Sequence, residues 1–298
     1  MMAPRRIIAG AIAVAVVAIA APASTAQQPP PPTQPLETTA IRYLRGQSVQ
    51  PVFEGWSRNA DGSFSMWFGY LNRNYEERLN VPVGPDNGFA DTNEDRGQPE
   101  FFETRRQQFA FTVAVPADWP KDKDLIWTLK ANGVALKAYG CLWPVWEIDN
   151  NTISANRGSR TAIDFDEPKN EPPTVVSAPP PQTVALGTPL PITLTVADDG
   201  NPKLRTDRGA RVAGIKATSP STEQPLRESL RVSWLQWRGP GIAKFDPAVI
   251  RVVDGKAMTT VTFDKPGAYV LRAFAEDASV HTPHDVKVTV VSTGSTQR

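Results

Sequence analysis

Residues 125–139 read LIWTLKANGVALKAY, and this stretch points directly to the fold class. Two short apolar runs, Leu125–Lys130 and Val134–Tyr139, flank the dipeptide Asn132-Gly133. Asn-Gly is the strongest short-range signal for a β-hairpin, because a two-residue type I′ turn needs positive φ at both central positions. The stretch therefore predicts two antiparallel strands joined by a tight turn.

Alternating apolar and polar residues, the period of a half-buried strand, recur on both sides of this hairpin. The strands predicted in this way are Phe64–Tyr70, Phe109–Val115, Ile192–Val196, 269–275 and 286–290, with a second hairpin at Asp254-Gly255 between 249–253 and 258–263. The chain also carries 29 prolines in 298 residues, which is about twice the usual share. Short strands divided by Gly and Pro turns predict an all-β protein of antiparallel, Ig-like β-sandwiches in series.

The N-terminus has the three parts of an export signal. Met1–Arg6 carries two arginines, Ile7–Ala21 is an unbroken apolar run, and small residues follow up to Ala26. This order is typical of a secretory signal peptide. A retained membrane anchor is the alternative, but the apolar run is shorter than the ~20 residues that a membrane-spanning helix needs. We therefore expect cleavage, no lasting membrane span, and a secreted or periplasmic protein.

Changes in composition divide the rest of the chain. A Gln- and Pro-rich stretch precedes the first strands, and an acidic, Pro-containing stretch separates two β-rich units. The predicted organisation is a signal peptide at 1–26, a Pro-rich spacer at 27–39, an N-terminal β-sandwich at 40–150, an acidic linker at 151–171, a second β-sandwich at 172–292 and a tail at 293–298.

The second unit resembles the PKD-type Ig-like modules of bacterial exported and surface proteins. The resemblance rests on an ordered set of landmarks: Pro172-Pro173-Thr174-Val175, Gln182–Gly187, Val196–Gly200, Trp234, Gly239-Pro240-Gly241, Pro266–Arg272 and Ala275-Glu276-Asp277. An insertion at roughly 201–229, rich in charge and proline, departs from the family pattern. The resemblance implies adhesion, spacing or ligand binding rather than catalysis.

The first unit is similar to an uncharacterised β module of exported bacterial proteins, which implies a cellular context but no chemistry. The landmarks are Phe68-Gly69-Tyr70, Asn72-Arg73-Asn74, Val81–Gly84, Asp95–Pro99 and Leu125–Leu129.

Charge and residue counts exclude several function classes. The balance of 32 basic and 31 acidic residues argues against nucleic acid as a partner, which requires a basic surface. One cysteine excludes an internal disulfide and a multi-cysteine metal site. The Gly-x-Ser-x-Gly, His-Glu-x-x-His, Walker and Gly-x-Gly-x-x-Gly motifs are absent. We therefore expect a protein without catalytic activity.

Four carboxylates predict a metal site. Asp198 and Asp199 follow one predicted strand of the second unit, and Glu276 and Asp277 follow another. In an Ig-type topology these strand ends lie at the pole where the acidic linker enters, and calcium takes six to eight oxygen ligands. The alternative is that the four residues are solvated turn-forming acids.

Three of the eight tryptophans are candidate binding residues. Trp67 has the opposite parity to the apolar residues of its strand, and Trp143 and Trp146 flank Pro144 at the end of the first unit. Aromatic side chains in such positions can stack on sugar rings or on another protein. The alternative is packing under a loop or against the other unit.

These observations predict an exported, non-catalytic binding or scaffolding protein of the bacterial envelope or extracellular space. Its partner would be an envelope or extracellular polysaccharide or protein, and calcium would stiffen it. The alternative is a hydrolase of cell-wall or extracellular glycans, which would use a pair of carboxylates from the cluster Glu94, Asp95, Glu100 and Glu103.

Overall fold

The structure is a computed structural model that describes residues 42–90, 95–156, 170–201, 230–277 and 280–292. Almost all of its regular structure is β. The predicted signal peptide, the whole Pro-rich spacer, most of the predicted acidic linker, most of the insertion at 201–229 and the predicted tail lie outside the described residues. Below, the N-terminal sandwich means strands β1–β8, and the C-terminal sandwich means strands β9–β17.

The N-terminal sandwich places an aromatic core between two three-stranded sheets, of order β1-β2-β6 and β4-β7-β8. Phe68, Phe111 and Trp127 lie at the centre of this core. A two-stranded sheet, β3-β5, completes it. The strands are β1 Val49–Arg58, β2 Phe64–Asn72, β3 Leu79–Asn80, β4 Asn87–Phe89, β5 Phe101–Phe102, β6 Arg105–Val115, β7 Leu125–Ala131 and β8 Val134–Gly140.

The hairpin at Asn132-Gly133 is confirmed. Strands β7 and β8 pair antiparallel from Leu125–Gly140 to Ala131–Val134, and both turn residues have positive φ, 48° and 77°. Asn and Gly tolerate this left-handed conformation better than other residues do, so the local sequence determines the register of the pair.

The predicted strand Phe109–Val115 lies within β6 and Phe109 is buried as expected, but the alternation is interrupted at Phe109. Residues around Phe109 form a bulge in β6, where the pairing with β2 passes from Tyr70–Gln107 to Phe68–Phe111. Phe109 has a φ of 49°, and Ala110 takes the place in the core. Strand alternation assumes an unbroken pleat, which a bulge interrupts.

The C-terminal sandwich has the two-sheet arrangement of an Ig-type domain. One sheet has the order β10-β17-β16-β12-β14 and the other has the order β13-β15-β11-β9, with β10 parallel to β17. Its core contains Trp234, Ile192 and Leu271. The strands are β9 Thr174–Ser177, β10 Gln182–Ala185, β11 Leu190–Ala197, β12 Arg231–Arg238, β13 Ala243–Asp246, β14 Val249–Arg251, β15 Lys256–Phe263, β16 Gly267–Glu276 and β17 His281–Val291.

The predicted hairpin at Asp254-Gly255 forms only as a turn. The two residues have φ of 50° and 71°, and Val253 bridges Lys256. Beyond that bridge β14 pairs with β12 in one sheet, whereas β15 pairs with β11 and β13 in the other. The turn residues specify the local backbone conformation, but they do not specify which sheet each of the flanking strands joins.

Two short helical segments follow β8. A 3₁₀ helix spans Pro144–Trp146, and helix α1 spans Asn150–Asn156 at the start of the predicted linker. Asp149 Oδ1 accepts hydrogen bonds from the Thr152 amide and hydroxyl, 2.8 and 2.7 Å, which satisfies an amide at the start of α1.

Asn87 is a buried hydrogen-bonding centre of the N-terminal sandwich. Its Nδ2 donates to the carbonyls of Val81 and Pro99, 2.8 and 2.7 Å, and its Oδ1 accepts from Trp127 Nε1 at 3.0 Å. The side chain thus joins two irregular segments to the central tryptophan of the core. Each of these groups would be left unsatisfied in a buried site without the amide.

We predict that Asn87→Ala lowers the free energy of unfolding by about 3 kcal/mol or more, because three buried polar groups lose a partner. Urea denaturation followed by tryptophan fluorescence measures this change. The exposed Asn80, on β3, provides the control variant Asn80→Ala, which we expect to cost less than about 0.5 kcal/mol. Equal losses in the two variants would contradict the role of Asn87.

Candidate functional site

Trp237 joins the two sandwiches. On β12, Trp234 packs into the core of the C-terminal sandwich, whereas Trp237 faces the other way and belongs to the core of the N-terminal sandwich. Trp237 is only 2% exposed, and its ring meets Phe111 edge-on at a centroid distance of 6.2 Å. One strand therefore contributes a large aromatic side chain to each of two hydrophobic cores.

The segment 95–100 of the N-terminal sandwich lies over this part of β12. Trp237 Nε1 donates to the Gly97 carbonyl at 3.2 Å, and the Glu100 amide donates to the Trp237 carbonyl at 3.0 Å. Arg238 makes a two-pronged ion pair with Asp95, with both N–O distances 2.7 Å. Hydrogen bonds from Arg238 hold the pKa of Asp95 below its usual range.

A cation packs on Trp237 from the C-terminal sandwich. The Arg272 guanidinium lies 3.6 Å from the centroid of the Trp237 ring and is held by Asp285 through bonds of 2.7 and 2.8 Å. This cation–π contact, oriented by a carboxylate, fixes the indole between Arg272 and the neighbouring core. The two sandwiches thus meet through a specific interface rather than through a linker alone.

Trp67, one of the predicted binding residues, also lies at this interface. Its ring contacts Phe109 and His281, both edge-on at 6.2 Å, and its Nε1 donates to Ser57 Oγ at 2.9 Å. Since His281 belongs to β17, Trp67 packs against the other sandwich, which is the alternative considered for it.

Trp143 and Trp146 lie together on the surface. Trp143 is 59% exposed, Trp146 is 43% exposed, and Val145 between them is 81% exposed. Their 3₁₀ turn is attached to β1, where Trp56 Nε1 donates to the Trp143 carbonyl at 2.8 Å and the Trp56 carbonyl accepts from Ile148. These contacts present an apolar surface on an anchored backbone.

Three of the four predicted metal ligands lie near the end of the predicted linker. Asp199 accepts from the Glu171 amide at 3.1 Å, and Asp277 accepts from Asn170 Nδ2 at 2.9 Å. Desolvation raises the pKa of Asp198, and the negative charges of Asp277 and Asp199 raise it further. The predicted convergence of chain entry and strand ends is therefore present for these residues.

Glu276 points elsewhere. Its carboxylate pairs with Arg231 at 2.8 Å and accepts the Ser233 hydroxyl, at the sandwich interface. Successive strand residues face opposite sides of a sheet, so Glu276 and Asp277 diverge. Among the residues that the structure describes, no three His, Cys, Asp or Glu side chains form a group that could hold a metal ion. Calcium at this pole stays a prediction.

The carboxylates proposed for a hydrolase have structural partners. Asp95 pairs with Arg238, Glu103 pairs with Arg78 at 2.7 Å, and Glu100 accepts from the Val83 amide at 3.2 Å. Glu94 lies outside the described residues. Cys141, the one cysteine, is buried.

Sequence reasoning missed Trp237 and Arg238. A usable signal was present: Trp237 is three residues after Trp234, and in a regular strand this spacing places two side chains on opposite sides of the sheet. The pairing of β12 with β16 is irregular between Gln236 and Arg238, so this signal is suggestive rather than strict. A tryptophan opposite a core tryptophan indicates that the outer face of the sheet is covered.

The comparisons with known proteins give only weak likenesses. No protein-family model matches the chain, and no curated protein matches it. Among solved structures it is similar to the Ig1-2 module of the Drosophila receptor protein tyrosine phosphatase DLAR, with 8% identity, 82% of this chain and 100% of that chain covered, and a TM-score of 0.28. The D0-D1 domain of Intimin matches with 13% identity, 80% and 97% coverage, and a TM-score of 0.22.

A complex of Titin M10 with an Obscurin-like 1 Ig domain matches 42% of this chain and 98% of that chain, with 18% identity and a TM-score of 0.23. Likenesses at these scores carry no argument about function, and the fold is established by the strand topology described above. Within the described ranges, no helix has the length and apolar character needed to cross a membrane.

We predict that the Asp95–Arg238 pair makes stability depend on pH. Because folding lowers the pKa of Asp95, the pair contributes stability above the unfolded pKa of about 3.9 and loses it as the pH falls through the lower, folded pKa. Asp95→Asn should lower Tm at pH 7 by about 1–4 °C and reduce the further loss of Tm below pH 4.

Thermal unfolding of residues 27–298 at pH 7 and at about pH 2.5 to 4 tests this prediction, with the exposed Asp118 supplying the control Asp118→Asn. An acid-dependent loss of Tm in Asp95→Asn as large as in the wild type would contradict it.

Proposed function

We propose that this chain is an exported, non-catalytic binding or scaffolding protein, secreted or periplasmic, that attaches to a polysaccharide or protein of the bacterial envelope or extracellular space. The two sandwiches act together as a support, and the surface formed by Trp143, Pro144, Val145 and Trp146 makes the contact. We further propose that the C-terminal sandwich is a module of the PKD type.

The exposed Trp143–Trp146 surface carries this proposal. Single exposed apolar residues are common on proteins, but adjacent large ones mark binding surfaces. Tryptophan supplies a wide, stiff contact area and is enriched among the residues that dominate binding energy. Here the backbone that bears the two rings is hydrogen-bonded to β1 before any partner arrives. A partner therefore orders few groups on binding, which favours affinity.

The anchoring depends on a close approach of two chain segments. Gly55 of β1 has a φ of 133°, and a Cβ at this position would collide with the Trp146 carbonyl and with Ile148. The tilted contact of Trp146 with Phe53, at a centroid distance of 5.6 Å, seats the second ring while leaving much of it exposed. The surface is therefore part of the N-terminal sandwich rather than a loose extension of it.

The test is co-sedimentation of residues 27–298 with the producing organism's isolated envelope, in calcium and in chelator. We predict that the wild type pellets and that Trp143→Ala combined with Trp146→Ala weakens binding by about tenfold or more, because both rings are lost. Tyr43→Ala removes an equally exposed aromatic ring elsewhere on the N-terminal sandwich and should bind like the wild type.

Each outcome bears on a different part of the proposal. Wild-type protein that stays in the supernatant would contradict the envelope role. Pelleting that the double variant retains would contradict the Trp143–Trp146 surface. Pelleting that the chelator abolishes would support calcium at Asp198, Asp199 and Asp277, whereas pelleting that ignores the chelator would remove calcium from the proposal. Release of reducing ends from the envelope would favour the hydrolase instead.

A further inference from the structure

Two arginines and a tyrosine form an exposed group where β2 ends and β6 begins. The guanidinium of Arg105 lies 4.0 Å from the centroid of the Tyr75 ring, and that of Arg42 lies 5.5 Å from the same centroid. We call Arg42, Tyr75 and Arg105 the tyrosine cluster. Tyr75 is 38% exposed, and both arginines are exposed. Two positive charges are therefore held on one ring that solvent can reach.

Two other arginines that stack on aromatic rings are neutralised by a carboxylate of this chain. Arg58 lies 5.1 Å from the centroid of an indole ring and pairs with Glu147 at 2.8 Å. Arg272 also stacks on an indole ring and pairs with Asp285 at 2.7 Å. Within the part of the chain that the structure describes, neither arginine of the tyrosine cluster has a carboxylate at ion-pair distance. The cluster thus has the cations of this arrangement without a protein anion.

The carboxylates that neighbour the tyrosine cluster in the chain are engaged elsewhere. Glu77 accepts hydrogen bonds from the Gly46 amide at 2.7 Å and from Asn132 Nδ2 at 3.1 Å. Glu76 and Glu103 form ion pairs with other arginines, at 3.8 and 2.7 Å. Neutralising the cluster from within the chain would break one of these contacts, whereas an anion from solution would break none.

The backbone that carries the tyrosine cluster is fixed by hydrogen bonds. The Tyr75 amide donates to the Tyr43 carbonyl at 3.0 Å, which joins the segment after β2 to the segment before β1. The Asn74 side chain is buried and bonds both the amide and the carbonyl of Gln47, at 2.7 and 2.9 Å. The two charges are therefore brought together before a ligand arrives, which lowers the cost of ordering on binding.

Arg105 adopts a strained backbone conformation. Its φ is 68°, in the left-handed region, which costs a residue with a long side chain free energy. It pairs with Asn72 of β2, whose buried side chain is hydrogen-bonded to Asn74. The surrounding structure thus holds the arginine in a conformation that it would rarely adopt alone. Backbone strain of this kind is concentrated at ligand-binding and catalytic sites.

The charge and geometry of the tyrosine cluster select a ligand class. A guanidinium group donates paired hydrogen bonds to the oxygens of a phosphate or a carboxylate. A carboxylate carries one negative charge, whereas a phosphate monoester carries about −1.5 to −2 at pH 7 and so matches two cations. An anionic lipid surface fits less well, because the side chain of Glu76, beside Tyr75 in the chain, is 55% exposed and would be repelled. We propose that the tyrosine cluster binds a single phosphate group, either as free inorganic phosphate or as a phosphate monoester on a larger molecule.

This site is separate from the Trp143–Trp146 surface and does not depend on the function proposed for it. The tyrosine cluster lies beside the start of β1, where the Arg73 amide donates to the Ser48 carbonyl at 3.3 Å. The Trp143–Trp146 surface is attached to Trp56, near the end of the same strand. Failure of phosphate binding would leave the attachment to the envelope untouched, and the reverse also holds.

The experiment is a titration of residues 27–298 with inorganic phosphate and with methyl phosphate at constant ionic strength, followed by NMR of the tyrosine ring and arginine Nε signals. Constant ionic strength removes the general effect of screening. Acetate, with one charge, is the ligand control. We expect saturable shifts of Arg42, Tyr75 and Arg105 with phosphate and weaker binding of acetate. Methyl phosphate that binds like inorganic phosphate indicates a monoester on a larger molecule, and methyl phosphate that fails to bind indicates the free ion.

Arg42→Gln combined with Arg105→Gln removes both charges and keeps polar side chains, and we expect this double variant to bind phosphate about tenfold more weakly or worse. Arg58→Gln is the matched control. Arg58 is also an exposed arginine stacked on an aromatic ring, but it is paired with Glu147, so its variant should bind phosphate like the wild type.

Several results would overturn the proposal. These are the absence of saturable shifts, shifts confined to residues outside the tyrosine cluster, equal binding of acetate, and unchanged binding in the folded double variant. If the double variant does not fold, the location of the wild-type shifts decides the question.

Discussion

The burial of Trp237 in the core of the neighbouring sandwich is the interaction on which the rest of this structure depends. A tryptophan side chain carries a large apolar area, and its removal from a core costs about 3–5 kcal/mol. Because the indole leaves the C-terminal sandwich and enters the N-terminal one, that free energy is available only when the two are joined. The Asp95–Arg238 and Arg272–Asp285 pairs orient the contact rather than drive it.

The interface also explains where the candidate sites lie. Joining the sandwiches brings the bulged β6 opposite Glu276 and His281, and a small cleft lies between them. The Trp143–Trp146 turn is anchored to β1, away from β12, and keeps its side chains exposed. Trp237 and Trp67 therefore lie at the interface between the sandwiches, and Trp143 and Trp146 remain available for a partner.

Much of the fold could be predicted from local sequence, and the reasons are physical. The Asn132-Gly133 turn and the alternation in Phe64–Tyr70 depend on neighbouring residues alone, so they can be recognised without the rest of the chain. The bulge at Phe109 could not be recognised in this way, because it depends on an ion pair between Glu54 and Arg106, 52 residues apart. Which of the two sheets β14 joins depends likewise on distant residues, because it is decided by which sheet has an edge strand free to pair with it.

The site was accessible from the sequence only in part. The position of Trp143 and Trp146 beside Pro144, at the end of the first unit, makes them candidates for a surface, but the sequence alone leaves open whether they are exposed or pack under a loop. For Trp67 the sequence leaves two alternatives open, because alternation along a strand shows which face of the sheet a residue takes but not what covers that face. To predict the role of Trp237, one must compare its position with that of Trp234 in the same strand. To predict the role of Arg238, one must know that the segment 95–100, which is far away in the chain, lies over it.

Differential scanning calorimetry of the wild type and of Trp237→Ala tests the coupling of the two sandwiches most directly. We predict that the sandwiches of the wild type unfold in one transition, whereas Trp237→Ala unfolds in two separate transitions, because the shared core contact is lost. Trp143→Ala, which removes an exposed tryptophan, should keep the single transition. Two transitions in the wild type, or one unchanged transition in Trp237→Ala, would contradict the claim that Trp237 makes the two sandwiches one unit.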